Sequence, residues 1–317
     1  MFVRLPGRAH IATCSLLLVP LLPAPARAQA LVGTIARSGM KPTAVAVWEA
    51  GNRAFIADSS VRQIHEYTSD TLQYVRSVSV DLASADHLVV DEARGKLYAS
   101  HFGVDLSSGK VAVVDASTGT VLKYIPAGTF TGLAIDQGLG KVYALSVQGG
   151  FVQIDTATDQ VSAPVPGVTG NIYRTMAVNP VTHEVFISNF QYDELDIVDG
   201  VTLARTVVPG LRGLGVGLNW VDNKAYIMYS VPTSTFKVYN RATGTITNIC
   251  QTSCSSGSDA TFAAYNPKNK RMYTSSEIVG YATVINSADE SWVNIPREGG
   301  NDILAVRHSS GRVYYPF

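Results

Sequence analysis

DHLVVDEARGKLYASHFGVDLSSGKVAVVDASTGTVLKYIPA, residues 86–127, decides the fold. It separates into four short runs, DHLVVDE, KLYASHF, KVAVVDAST and VLKYIPA, divided by Gly, Ser, Asp and Thr. Runs of this length, rich in Val, Ile, Tyr and Thr, have the composition of half-buried antiparallel strands. The block then recurs. Its second run carries Tyr98, and an aromatic takes the same place at Phe55, Tyr143, Phe186, Tyr226, Tyr273 and Tyr314, at intervals of 40 to 47 residues. Such a period is one supersecondary unit repeated, and four strands per unit point to a propeller blade. No segment carries a long apolar stripe at a period of 3.6, so helices are not expected.

The connections repeat with the strands. Between first and second strands come DEARGK, DQGLGK, NPVTHE, WVDNK, NPKNKR and HSSGR, polar hairpin links with Gly, Asn or Pro. After the third strands, Asp115, Asp155, Asp199, Asn240 and Asn286 recur, and the first four have a Thr three residues on. An Asx side chain there accepts hydrogen bonds from the backbone ahead of it, so these residues are corners rather than catalysts. Six complete units end near residue 296. A seventh starts with ILAVRH and RVYYPF, and LVGTIAR at 31–37 has the pattern of a fourth strand. The expected fold is therefore all-β: a seven-bladed propeller of four-stranded antiparallel blades. Its last blade is incomplete, one strand short, and is closed by an N-terminal strand that removes exposed edges.

The first 28 residues read as a secretory signal. Arg4 and Arg8 precede an apolar stretch from about Ile11 to Leu22, and Ala26-Arg27-Ala28 supplies small residues for cleavage before Gln29. Pro20, Pro23 and Pro25 interrupt the stretch, which argues against a membrane anchor. Residues 29–317 are then a single propeller domain, periplasmic or secreted, with no later span and expected as a monomer. Removing Arg4, Arg8 and Arg27 leaves 22 basic against 25 acidic side chains, which gives no signal for duplex DNA. Cys250 and Cys254, in a Gly/Ser-rich loop of an exported chain, are expected as a disulfide; a metal or redox pair is the alternative.

The second strands also carry a resemblance. FIAD at 55–58, YASH at 98–101, FISN at 186–189 and YTSS at 273–276 look like degenerate copies of a YVTN motif. Over residues 31–317 the chain resembles the YVTN-repeat β-propeller family of exported proteins. That family and its neighbours include surface-layer proteins, periplasmic binding propellers and propeller subunits of quinoprotein dehydrogenases. Trp48, Trp220 and Trp292 occupy no common repeat position, so the tryptophan docking pattern of quinone-cofactor propellers is missing.

In a propeller, loops before first strands and after second strands gather on one face, around the mouth of the central channel. Those positions hold Asp58, Asp86, His87, His101, Arg174, Asn189, Tyr192, Tyr229, Asp259, Glu277 and Asp302. His101, Asp58 and Asn189 stand at equivalent points of different blades and form a candidate set for a divalent cation such as calcium. His87 is a candidate acid–base group, although Asp86 beside it points to the opposite face of the strand. The remaining positions are candidate ligand contacts. No GxSxG, P-loop or CxxCH motif occurs. The expected function is non-catalytic binding of a protein, peptide, glycan or small molecule at the mouth. A metal-assisted lactone or ester hydrolase or lyase, and a cell-surface adhesion or surface-layer component, are the alternatives.

Overall fold

The computed structural model describes residues 11–18, 30–101, 109–126, 130–146, 150–168, 175–189, 191–229, 235–250, 260–276, 281–296 and 304–316. Small antiparallel sheets, each wound outward from an inner strand, make up the whole of it. The first blade is Pro42–Trp48, Arg53–Asp58, Gln63–Thr68 and Tyr74–Ser79. The second is His87–Asp91, Lys96–Ser100, Lys110–Asp115 and Val121–Pro126. The inner strands of the other four blades are Phe130–Asp136, Met176–Val178, Gly215–Asn219 and Ala260–Asn266.

Two features differ from the expected architecture. The third blade has three strands: VSAPVPG at 161–167, the run in the place of its fourth strand, makes only isolated bridges at Val161 and Val165. Pro164 and Pro166 bring no N–H to a ladder, which accounts for the loss. The second difference concerns the count. Six blades, not seven, are continuous in sequence. The remaining sheet is a composite of both chain ends, in the order Ala30–Ser38, Ile11–Leu18, Arg312–Pro316, Ala305–Arg307. It has four strands where three were expected, because the segment read as the apolar part of the leader lies between the other end strands. Ile11 pairs with Ser38 on one side, and Leu16 with Tyr314 on the other.

The cores lie between sheets. One joins the first and second blades through Phe55, Ile64, Leu88 and Leu97. Others join the sixth blade to the composite sheet through Tyr273, Val284, Val313 and Tyr315, and the composite sheet to the first blade through Ile35, Ile56, Tyr67 and Tyr314. The ring is thereby continuous. Two inner strands approach closely at Gly217, where a Cβ would lie 2.5 Å from Ala263 Cβ and 2.7 Å from Met272 Sδ. Only glycine lets those inner strands meet.

The recurring aromatic has a physical reason beyond its bulk. Its ring is fully buried, and several hydroxyls reach the outer turn of a neighbouring blade. Tyr98 donates to Asp159 Oδ1 at 2.7 Å, and Lys96 Nζ reaches the same carboxylate at 3.0 Å. Tyr226 and Lys224 treat Glu290 the same way, at 3.3 and 2.7 Å. Tyr314 donates to Ser69 O at 2.5 Å, which ties the composite sheet to the first blade. The Asx corners form as expected: Asp115 Oδ1 accepts from Ser117 N and Thr118 N at 2.8 and 2.9 Å, and Asp199 Oδ1 from Val201 N and Thr202 N. A second ring of caps ends the inner strands, where Asp91, Asp136, Asn179, Asn219 and Asn266 are all buried.

Candidate functional site

Asp58 and Asn189 each end a second strand, and each is used as a loop cap. Asp58 is 3% exposed. Its Oδ1 accepts from Lys41 N at 3.0 Å, Ser60 N at 2.9 Å and Ser60 Oγ at 2.6 Å, and its Oδ2 faces His65 Nε2 at 3.1 Å. Burial pushes this carboxyl up, but the hydrogen bonds from Ser60, Lys41 and His65 outweigh it and hold the group below its ordinary 3.8. Asn189 Oδ1 accepts from Gln191 N and Tyr192 N, both at 3.2 Å, and its Nδ2 donates to Glu194 Oε1 at 2.9 Å. These two members of the candidate cation set are thus committed to their own loops. Among the described residues, no group of three or more His, Cys, Asp or Glu side chains is placed to hold a metal ion.

His101, the third member, joins a different cluster. Its Nδ1 lies 3.1 Å from Asp86 Oδ2 and 3.0 Å from Ser84 Oγ, and Ser84 donates to Asp86 Oδ1 at 2.7 Å. Asp86 is anchored by its own backbone, N to Ser100 O at 2.8 Å. The carboxylate selects the tautomer with the hydrogen on Nδ1, so the lone pair of Nε2 is the one available to an incoming group. The His101 and Asp86 side chains are 18% and 24% exposed, enough for contact with solvent and too little for free rotation.

His87 begins the inner strand of the second blade and turns away from that cluster. Its ring centroid is 5.8 Å from that of Phe262, on the inner strand of the sixth blade, so the two rings meet across the axis. Desolvation lowers its pKa from 6.5 to about 4, against the opposing charge of Asp86, and the ring is neutral at pH 7. Ser100 sits opposite it in the ladder, with a buried Oγ that has no hydrogen-bond partner among the described residues. Asp86 is therefore the partner of His101, and His87 is a wall of the channel.

Tyr192 is 56% exposed on the loop that Asn189 caps. Tyr229 closes the strand Lys224–Tyr229, and Cys250 closes Ile246–Cys250; their side chains, with Arg174, Cys254, Asp259, Glu277 and Asp302, lie outside the described residues. Sequence reasoning missed Ser84 and His65. A serine two residues before Asp86 was a weak sign of an Asx-type loop. His65 stands in the strand QIHEYT, where Gln63, Glu66 and Thr68 are polar too, so nothing in the sequence set its imidazole apart; buried as it is, it needs a partner.

No family model matches the chain. Two curated relatives are similar to part of it: uncharacterized proteins YncE of Salmonella typhimurium and of Salmonella typhi, each 28% identical over 151 residues. Those matches cover 45% of this chain and 41% of each relative, so less than half of either length is involved. Among solved structures, a chain of Kuenenia stuttgartiensis hydrazine synthase superposes with a TM-score of 0.71, covering 89% of this chain and 94% of that one at 14% identity. That likeness establishes the propeller fold and nothing of its chemistry.

Proposed function

We propose that this chain is an exported, YVTN-type β-propeller that binds a ligand or protein partner at the channel mouth without covalent chemistry. The observation that carries the reading is the Asp86–Ser84–His101 cluster, a pre-oriented imidazole with one nitrogen directed to no protein partner among the described residues. Support for the type comes from the repeated second-strand motifs and the partial similarity to YncE. Cleavage before Gln29 is part of the proposal. It removes Ile11–Leu18 from the composite sheet and lets Ala30–Ser38 close directly on Arg312–Pro316, giving a three-stranded seventh blade. Intact-mass measurement of periplasmic protein tests the cleavage. Glycan and peptide arrays probed with the mature chain test the binding: a hit lost in His101→Ala and Asp86→Asn supports the site, and a hit retained by both refutes it.

One observation favours the metal-assisted hydrolase as a second reading. A carboxylate behind a histidine is the usual support of a metal-ligating imidazole. Elemental analysis with and without chelator distinguishes the two. A stoichiometric divalent ion, lost in His101→Ala, selects the hydrolase. A metal-free chain whose melting is unchanged in chelator selects binding.

A further inference from the structure

The first blade carries a second constellation that the mouth cluster does not use. Asp58, His65 and Ser77 come from three adjacent strands, and His65 and Ser77 are directly opposite one another in the ladder. Asp58 Oδ2 is 3.1 Å from His65 Nε2, and His65 Nδ1 is 2.7 Å from Ser77 Oγ. The His65 side chain is fully buried and Asp58 nearly so. Every neighbour of Asp58 Oδ1 is a donor, so the carboxyl is ionised and takes the Nε2 hydrogen. That tautomer makes Nδ1 an acceptor, and Ser77 donates its hydroxyl hydrogen to it. Tyr74 Oη, 2.9 Å from Ser77 Oγ, donates to the serine oxygen in turn. Ser77 is half-buried on the outermost strand, and Tyr74 and Val75 beside it are 54% and 37% exposed.

We propose that Ser77 is a nucleophile, with His65 as its base and Asp58 as the group that orients the base. A hydroxyl, an imidazole and a carboxylate in that order are the parts of an activated serine, here with the two ring nitrogens exchanged relative to the serine proteases. The substrate class is a small uncharged carboxylic ester, its acyl group lying against Tyr74 and Val75. Ser77 Oγ bonds to the carbonyl carbon as its hydrogen passes to His65 Nδ1. The ester C–O bond then breaks, and the leaving alkoxide takes that hydrogen as the alcohol. Water repeats the sequence on the acyl-serine, releases the acid and restores the hydroxyl. No external oxidant, reductant or metal is required by this balance.

The test is covalent labelling of the full chain with a fluorophosphonate, the modified residue being located by mass spectrometry. Phosphonylation at Ser77 is expected, absent in Ser77→Ala and slowed at least about 100-fold in His65→Gln. Because His65 is buried and its replacement risks unfolding, Ser77→Cys provides a second readout. Its thiol should react with iodoacetamide faster than a free thiol at pH 7, since the same imidazole generates thiolate. A cooperatively melting wild-type chain that takes no label at Ser77 overturns the proposal. So does labelling at equal rate in folded His65→Gln, or alkylation of Ser77→Cys at the free-thiol rate; either result makes the three residues a hydrogen-bonded ladder of the blade.

Discussion

Acidification should expose His87 as a sensor of its own burial. Its pKa is lowered from 6.5 to about 4 by desolvation against the channel wall. Between those values an unfolded chain binds a proton that the folded chain excludes. The contribution of His87 to stability is therefore complete above about pH 6.5 and is lost as the pH falls toward 4. At about 1.4 kcal/mol per pH unit, the gap corresponds to about 3 kcal/mol. This is an upper figure, because the residue keeps partial contact with solvent. The assay is urea unfolding followed by tryptophan fluorescence at several pH values from 7.5 to 4, for wild type and His87→Phe. The phenyl ring keeps the contact with Phe262 and cannot titrate. Wild type should lose up to about 3 kcal/mol relative to the variant over this range, while contributions from the carboxylates cancel in the difference. A difference independent of pH would refute the reasoning, since it would mean that His87 takes up its proton as readily folded as unfolded.

Below pH 4 a different set of groups should govern. Asp58, Asp91, Asp115 and Asp199 are all held below their ordinary 3.8; the stability they supply is present above that value and falls as they protonate, so circular dichroism should show cooperative acid unfolding there. Glu66 is fully buried between Arg53 Nε at 2.7 Å and Arg76 Nε at 2.6 Å; Glu66→Ala should cost about 1–3 kcal/mol in urea unfolding, because both guanidinium groups lose their charged partner but keep backbone carbonyl acceptors and contact with solvent. Tyr98→Phe should cost only about 1 kcal/mol, whereas Asp159→Ala, which takes the carboxylate from both Tyr98 and Lys96 and leaves them only the Thr156 carbonyl, should cost about 1–3 kcal/mol; equal losses would show that the carboxylate is not shared.

The period of the aromatics was enough to define the strands, because a buried ring in every second strand is a demand of packing that each blade makes alone. The Asx corners were legible for the same reason: an Asp such as Asp115 caps amides two and three residues on, a contact written wholly in local sequence. The third blade's missing strand is also legible at Pro164 and Pro166, which leave only isolated bridges where a ladder would form. What stayed hidden was pairing across strands and blades. Asp58 and Asn189 look alike at the mouth, yet whether such a side chain meets a ligand or its own loop depends on a backbone path of two or three residues. The partnership of Asp58 with His65 depends on register between neighbouring strands, and that of Asp86 with His101 on a loop closing back beside Ser84. The composite sheet was the hardest to foresee, because an apolar run such as Ile11–Leu18 has the composition of a leader and of a strand alike.

One seam of the ring joins Tyr314 to Ser69, groups 245 positions apart along the polypeptide. Glu49 adds to it, accepting from His308 N and Ser309 N. Contacts of such long range carry a high loop-closure cost, so the first sheet keeps an uncovered flank until Arg312–Pro316 packs beside it. Hydrogen exchange pulsed during refolding should therefore find the amides of Gln63–Thr68, whose Tyr67 shares a core with Tyr314, slow to gain protection although the ladder partners of that strand are local in sequence.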